Sequence, residues 1–323
     1  MRADELGERV ESLAAERGQR LRGRNLWLVA VRTARRAVEV RVTGLAAEMT
    51  YYTLLSLVPL LTAVGASLGL LERVLGVGQV AQLEDAVVAA FEGLLSRDVT
   101  AEVVTPLVRG LLREERTGFA LGSILVALWL GSRVFRAAVR ALDDAYEVRE
   151  RRSLLAQLGL AVVFGVGAVV AVTALLIVVV VGPLLGGGRA LADQIGLGAA
   201  FEVAWAVGRW PVVLLVLMGF LLVLYRFAPN HDLTWRDCLP GAVVGAVGMA
   251  LVAVGFRVWL EVAGPRVPEL GDADEVVAIA AQVVGAVVAG ILLVWLSSIA
   301  VLLAGVLNAE WSRSAADEEP AGT

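Results

Sequence analysis

The stretch "GLAAEMTYYTLLSLVPLL", residues 44–61, runs on into "TAVGASLGLL" and has the length and apolar content of a membrane-spanning helix. A helix needs roughly 20 apolar residues to cross ~30 Å of hydrocarbon. This segment nevertheless contains a carboxylate, several hydroxyls and a proline. With about 100° of rotation per residue, most of them fall on or beside one face of the helix. The candidate residues for this face are Glu48, Tyr51, Tyr52, Ser56, Pro59 and Thr62.

Two interpretations of that face stay open. Polar groups inside a membrane normally face a bundle interior or a wet cavity, so the first predicts a polar pathway lined by this helix. Pro59 has no N–H, which leaves the carbonyl of Leu55 without its helical partner and favours a bend there. The second places Glu48 at headgroup depth, paired with an arginine such as Arg41, with both tyrosines as interfacial anchors.

Composition supports a membrane protein. Of the 323 residues, 58% are hydrophobic and 19% are charged, whereas soluble domains are nearer a half and a quarter. One cysteine, Cys238, and one histidine, His231, exclude an internal disulfide and any Cys-cluster or His-pair metal site. We therefore expect neither a metal nor a cofactor. No cleavable signal segment is expected either, since residues 1–40 lack an apolar core near their start.

Six segments are long and apolar enough to span a bilayer, and their runs do not alternate apolar with polar residues as barrel strands do. We predict an all-α polytopic fold with spans at about 45–71, 118–135, 154–182, 207–228, 240–260 and 276–306. The division that follows is a cytoplasmic Arg-rich tail (1–44), a transmembrane domain (45–306) and a cytoplasmic C-terminal tail (307–323).

Arginine distribution predicts the orientation. Nineteen arginines fall on the side of both termini and nine on the other side. Because positive charge is retained in the cytoplasm, both termini are expected there. "NLWLVAVRTARRAVEV" is predicted to be an inner interfacial helix with Trp27 at headgroup depth, and the 72–117 loop to form two amphipathic helices at the outer interface. The alternative for this loop is a small cap packed on itself.

A charged amphipathic helix is predicted directly after the second span, in "GSRVFRAAVRALDDAYEVRERRS", residues 131–153. It either contacts anionic headgroups and gates the bundle, or is an ordinary positive-inside loop with internal Arg–Asp pairs. Its candidate residues are Arg133, Arg136, Arg140, Asp143 and Tyr146.

Small residues at four-residue spacing predict close helix packing in the last two spans. The packing candidates are Gly241, Gly245, Gly248, Ala281, Gly285 and Ala289. Polar residues inside the last span are expected to bond across helices rather than to bind a ligand. They are Gln282, Ser297, Ser298 and Asn308. His231, in the "APNHD" turn, is expected to be solvated.

Four separated motifs together resemble one family. "AAEMTYYTLLSLVPLL", "FRAAVRALDDAYEVRERR", "YRFAPNHDLTWRDCLPGA" and "VWLSSIAVLLAGVLNAEW" stand in the order of the YihY/BrkB membrane proteins, formerly labelled ribonuclease BN. The resemblance covers about residues 30–311 and implies a six-helix bacterial inner-membrane protein with a role in the envelope. Val306 stands where the family often has an acid, and Glu48 stands where a small residue is more usual.

Ribonuclease chemistry is not expected, because hydrolysis needs an acid–base pair or a metal cluster that these residues do not offer. We predict a transporter or flippase-like factor for a lipid or amphipathic solute. The alternative is a non-transporting envelope scaffold or partner-binding protein. Membrane lipids are the expected partners, together with self-association or other envelope proteins, and no nucleic acid.

Overall fold

The computed structural model describes residues 20–21, 24–75, 117–176, 198–263 and 275–316. Within these ranges, side chains are not described at 20–24, 61–75, 117–121, 173, 176, 198–206, 261, 263, 275–282 and 315–316. The predicted amphipathic helices of the 72–117 loop therefore lie almost wholly outside the described residues.

The described chain is helical apart from one minimal hairpin. Its elements are β1 (Arg20–Leu21), β2 (Arg24–Asn25), α1 (Leu26–Glu39), α2 (Val42–Leu75), α3 (Thr117–Tyr146), α4 (Leu154–Leu176), α5 (Gly198–Phe227), α6 (Trp235–Ala263) and α7 (Glu275–Ala316). The two strands pair antiparallel, with Arg20 opposite Asn25 and Leu21 opposite Arg24. The prediction of an all-α fold is confirmed for the described residues, apart from this hairpin.

Local chemistry explains where α1 begins and ends. The Asn25 side chain accepts hydrogen bonds from the backbone N–H groups of Trp27 and Leu28, which caps the helix N-terminus. At the other end Arg41 adopts a left-handed conformation with φ of 57°, and α2 begins at the next residue. In the last turn, hydrogen bonds from the guanidinium groups of Arg36 and Arg35 lower the pKa of Glu39.

Five helices are long and apolar enough to cross a membrane. Among the described residues these are Gly122–Tyr146, Leu154–Val172, Val207–Phe227, Trp235–Leu260 and Val283–Ser314, in α3 to α7. Their outward faces carry large exposed apolar side chains, such as Leu155 on α4 and Val262 on α6. In a soluble protein such an apolar surface would be unusual, so the chain is a membrane protein. Side chains of α2 are described only up to residue 60, short of a full span.

The predicted span boundaries differ from the observed helices in two places. The sequence placed the end of the second span near residue 135 and a separate charged helix after it, but α3 continues unbroken from Thr117 to Tyr146. Likewise α7 continues past 306 to Ala316. Neither helix contains a proline, so the helical hydrogen bonding continues where the composition changes.

The core lies towards one end of the bundle, where α3, α5 and α7 end and α2, α4 and α6 begin. We call this the Asn308 end. One buried cluster joins α3, α4, α5, α6 and α7 through side chains such as Phe135, Phe164 and Tyr225. A second joins the α1–α2 turn, α2, α3 and α7 through Val42, Ala138 and Leu302. The sites described below lie on these same contacts.

Candidate functional site

The polar face of α2 meets the arginines of α3. The Arg140 Nη2 atom donates a hydrogen bond of 2.5 Å to Glu48 Oε1. The partner of Glu48 is thus an arginine of α3, and not Arg41 at the start of α2. Since both side chains are partly exposed, at 50% and 35%, the pair contributes at most about 1 kcal/mol of stability. Its structural effect is to fix the register between two helices distant in sequence.

Arg133 lies two turns along α3 from Arg140 and contacts Tyr52 of α2. Its Nη1 atom donates to the Tyr52 hydroxyl at 3.3 Å. The guanidinium carbon lies 4.6 Å from the centre of the Trp129 ring and 5.6 Å from that of Tyr52, which are cation–π distances. The Nε atom of Arg133 is buried and has no hydrogen-bond partner in the described part of the chain. We call this group the α2–α3 seam, defined by Glu48, Tyr52, Trp129, Arg133 and Arg140.

The other predicted pathway residues lie outside this network. Tyr51 is 59% exposed and contacts Tyr52 edge to face, with ring centres 5.3 Å apart. Ser56 donates to the Thr53 carbonyl at 2.8 Å, so its hydroxyl is satisfied by its own helix. Pro59 lies half-buried inside α2. The side chain of Thr62 is outside the described residues.

Apolar surface borders the seam on both helices. Leu55 and Val58 are exposed on α2 beyond Tyr52, and Leu125 and Val126 are exposed on α3 before Trp129. A group of charged and aromatic side chains therefore adjoins surface suited to acyl chains. Arg136, one turn after Arg133, is half-buried and has neither an ion pair nor a hydrogen bond among the described side chains.

A second polar group lies inside the Asn308 end. Asn308 is fully buried, and its Oδ1 accepts from the backbone N–H of Gly241 at 2.9 Å. Its Nδ2 donates to the Tyr146 hydroxyl at 2.7 Å. One amide of α7 thus links the last turn of α3 to the first turns of α6. Asn308 and Gly241 are buried and Tyr146 is half-buried, so the hydrogen bond to Gly241 is the more costly of the two to leave unmade.

The turns at this end are also fastened to each other. The Asp143 carboxylate accepts from the backbone N–H of Asn230 at 2.8 Å, and Tyr146 stacks on His231 with ring centres 6.0 Å apart. Arg152 donates to the carbonyls of Phe227, Ala228 and Pro229 at 2.9 to 3.1 Å. A cation at the end of α5 satisfies carbonyls that lack helical partners and complements the helix dipole.

The predicted packing glycines of α6 vary in how closely a neighbour approaches them. A methyl group on Gly241 would lie 2.6 Å from the Asn308 Cβ, and one on Gly245 would lie 2.7 Å from a Leu221 methyl. At Gly248 the nearest atom, in Ala300, is 3.5 Å away. On α7, Ala289 is buried and Gly285 is half-buried, while the side chains of Ala281 and Gln282 are outside the description. Ser298 is buried and Ser297 is half-buried.

Sequence reasoning missed several of these contacts. It gave no role to Arg152, to Glu310, which is buried and pairs with Arg313 at 2.7 Å, or to the Tyr225 hydroxyl, which donates to the Val301 carbonyl at 2.6 Å. One signal was available for all three residues, because Arg152, Tyr225 and Glu310 each lie within one of the four family motifs. The i,i+3 spacing of Glu310 and Arg313 within α7 predicts their ion pair, whereas no pattern within a single helix assigns the partners of Arg152.

The described residues bring no metal site together. Across the described ranges, no group of three or more His, Cys, Asp or Glu side chains is placed to hold a metal ion. Cys238 is a buried free thiol. Within these ranges several polar residues, such as Glu48 and Asn308, instead form helix-to-helix contacts.

Comparison with known proteins identifies the family of the chain. The profile of the family described as Virulence factor BrkB matches residues 33–323. The chain is 29% identical over 209 residues to the ribonuclease-like protein YfkH of Bacillus subtilis (strain 168), covering 64% of this chain and 70% of YfkH. No solved structure matches the chain. The resemblance drawn from the four motifs is confirmed, and the chain belongs to the BrkB family of membrane proteins.

Proposed function

We propose that this BrkB-family protein moves a lipid or another amphipathic solute across the membrane along the α2–α3 seam. The observation that carries the proposal is the position of Arg133, whose guanidinium lies against Tyr52 and Trp129 beside exposed apolar surface. A polar strip bordered by apolar surface fits a solute with a polar head and an apolar tail. Transport of such a solute would explain a role in envelope integrity.

The proposal places the protein in the bacterial inner membrane, with six spans and both termini in the cytoplasm. The arginine distribution supports this orientation, since the arginines of α3 and Arg152 lie at the same end as the start of α2. α2 would be the sixth span. Activity reporters fused to each terminus test the orientation, and a terminus found outside the cytoplasm would overturn it.

Lipid scrambling in reconstituted vesicles is the direct test. Purified full-length protein is placed in vesicles with a fluorescent lipid, and a membrane-impermeant reductant measures how fast inner-leaflet label becomes accessible. Glu48→Gln and Tyr52→Phe should slow the reaction, because the first removes the charge of the ion pair with Arg140 and the second removes the hydroxyl that accepts from Arg133. Tyr51→Phe is the matched control, since the Tyr51 ring is mostly exposed and makes its aromatic contact without its hydroxyl. If vesicles that contain the wild-type protein scramble the lipid no faster than empty vesicles, transport is refuted.

A non-transporting envelope scaffold is the second candidate. The tight packing at the Asn308 end favours it, because Asn308 and Gly241 fix three helices in one arrangement. Crosslinking in cells that recovers a stoichiometric partner, together with no scrambling, would favour this function. Both candidates are non-enzymatic, and we propose no ribonuclease activity. Hydrolysis of RNA by the purified protein, lost on a point substitution, would contradict that part of the proposal.

A further inference from the structure

The two arginines of the α2–α3 seam and the neighbouring Arg136 carry more positive charge than the described acids neutralise. Glu48 is paired with Arg140, and the next acid along α3, Asp143, accepts from the backbone of Asn230. Arg133 and Arg136 contact no carboxylate among the described residues. A guanidinium has five N–H donors, and Arg133 uses one of them, to a neutral hydroxyl. Its other donors have no acceptor among the described residues.

These arginines directly follow the apolar part of α3. Leu125 and Val126 are exposed, Trp129 is 53% exposed, and Arg133 and Arg136 follow. With ~1.5 Å of rise per residue, Arg133 lies about 10 Å beyond Val126, directly after the apolar run of residues 118–132 ends. Tryptophan is typical of that boundary, and basic residues just beyond it attract anionic lipids.

Two aromatic rings orient the Arg133 guanidinium. Its stacking on Trp129 and Tyr52 holds the planar fork at the interface between α2 and α3. A fixed guanidinium fork matches the oxygens of a phosphate, with which it forms paired, charge-assisted hydrogen bonds. The Nε atom of Arg133 is buried without an acceptor among the described residues, so the ligand oxygens would bond to the Nη atoms of the fork.

From these observations we propose that Arg133 and Arg136 bind the phosphate of an anionic phospholipid headgroup at the α2–α3 seam, with the acyl chains against the apolar surface of α3. This names the substrate class of the same seam and so rests on the proposed function. Free inorganic phosphate has the same chemistry, but the exposed Leu125, Val126 and Trp129 favour a ligand with a tail.

Binding is measured on the full-length protein in mild detergent. Short-chain phosphatidylglycerol is titrated in, and retention is followed by native mass spectrometry and by the rise in thermal midpoint. Short-chain phosphatidylcholine and inorganic phosphate form the other two arms. We expect phosphatidylglycerol to bind and to raise the midpoint. Phosphatidylcholine binding equally well, or inorganic phosphate displacing phosphatidylglycerol at matched concentration, would overturn the lipid assignment.

Substitutions locate the site. Arg133→Gln and Arg136→Gln should each weaken binding of phosphatidylglycerol about tenfold or more, as expected for loss of a charged hydrogen bond. Arg133→Lys should give only partial rescue, since an ammonium retains the charge but not the planar fork. The control is Arg151→Gln, which removes the same charge from an exposed position in the α3–α4 turn. Equal affinity in all four variants would refute the site.

Two outcomes separate this inference from the proposed transport. Phosphatidylglycerol binding that depends on Arg133, with no scrambling by the wild type, would leave the site standing and remove transport. Scrambling that is unchanged by Arg133→Gln and Arg136→Gln, together with no preference for phosphatidylglycerol, would leave transport standing and remove the site. Should Arg133→Gln fail to fold, Arg136→Gln still provides the test, because Arg136 has no hydrogen bond to lose in the described structure.

Discussion

Alanine substitutions at the glycines of α6 should stabilise or destabilise the protein according to the space around each glycine. The contrast is sharpest between Gly241 and Gly255. A methyl group on Gly241 would lie 2.6 to 2.8 Å from three atoms of Asn308, whereas nothing lies within 4 Å of one on Gly255. Both glycines are inside the same helix, so the intrinsic helical preference for alanine acts equally on both.

The size of the stability difference between the two variants follows from those contacts. Gly255→Ala should stabilise the protein by up to about 1 kcal/mol, the difference in helix propensity. At Gly241 the methyl group must displace Asn308, whose side chain is held by Gly241 and Tyr146. Overpacking typically costs about 1–3 kcal/mol, and each disturbed hydrogen bond adds about 1 kcal/mol. We therefore expect Gly241→Ala to be less stable than Gly255→Ala by about 2–4 kcal/mol.

The assay is unfolding of the purified protein in detergent, followed by size-exclusion fluorescence after heating. Gly248→Ala provides an intermediate point, because its nearest neighbour would lie at 3.5 Å, an ordinary van der Waals distance. The expected order of stability is Gly255→Ala first, Gly248→Ala close to it and Gly241→Ala last. If Gly241→Ala unfolds at the same temperature as Gly255→Ala, the close approach of α6 and α7 described here is incorrect.

Three further predictions concern the Asn308 end, each read from the same unfolding assay. Arg152→Ala should destabilise the protein by about 1–3 kcal/mol, because three carbonyls at the end of α5 lose their donor, while Arg151→Ala should have no measurable effect. Tyr225→Phe should cost about 1 kcal/mol through loss of one buried hydrogen bond to α7, and an unchanged midpoint would contradict that bond. Glu147 directly follows α3 and has a φ of 58°. Glu147→Gly should therefore be more stable than Glu147→Ala by about 1–2 kcal/mol, because both variants lose the carboxylate but only glycine relieves the left-handed strain.

The order and type of the long helices were predictable from sequence because apolar length alone determines them. Helix ends were less predictable. Nothing in the composition indicates that α3 continues to Tyr146, where Glu147 adopts the left-handed conformation that glycine usually provides. The backbone N–H of Val148 bonds to the Asp143 carbonyl at 3.0 Å, and this closes the helix.

Contacts within one helix face were easier to predict than partners across helices. The polar face of α2 was visible at helical spacing, but its partners on α3 depend on how two distant segments align. Glu48 and Arg140 are 92 positions apart in the sequence, and many other arginines could have formed an ion pair with the Glu48 carboxylate. Asn308 was recognised as a polar residue in an apolar span, whereas its contact with the Gly241 backbone required the bundle itself.

The fastening of the α3–α4 turn to the α5–α6 turn bears on how this bundle can change shape. Arg152 and Asp143 bind the backbone of residues 227–230, so sliding one helical hairpin past the other there would break several hydrogen bonds together. Rocking motions of the bundle would accordingly pivot at this end, where the two turns stay together while the opposite ends of the helices separate. The largest displacement in any transport cycle would then fall on the far ends of α3 to α6.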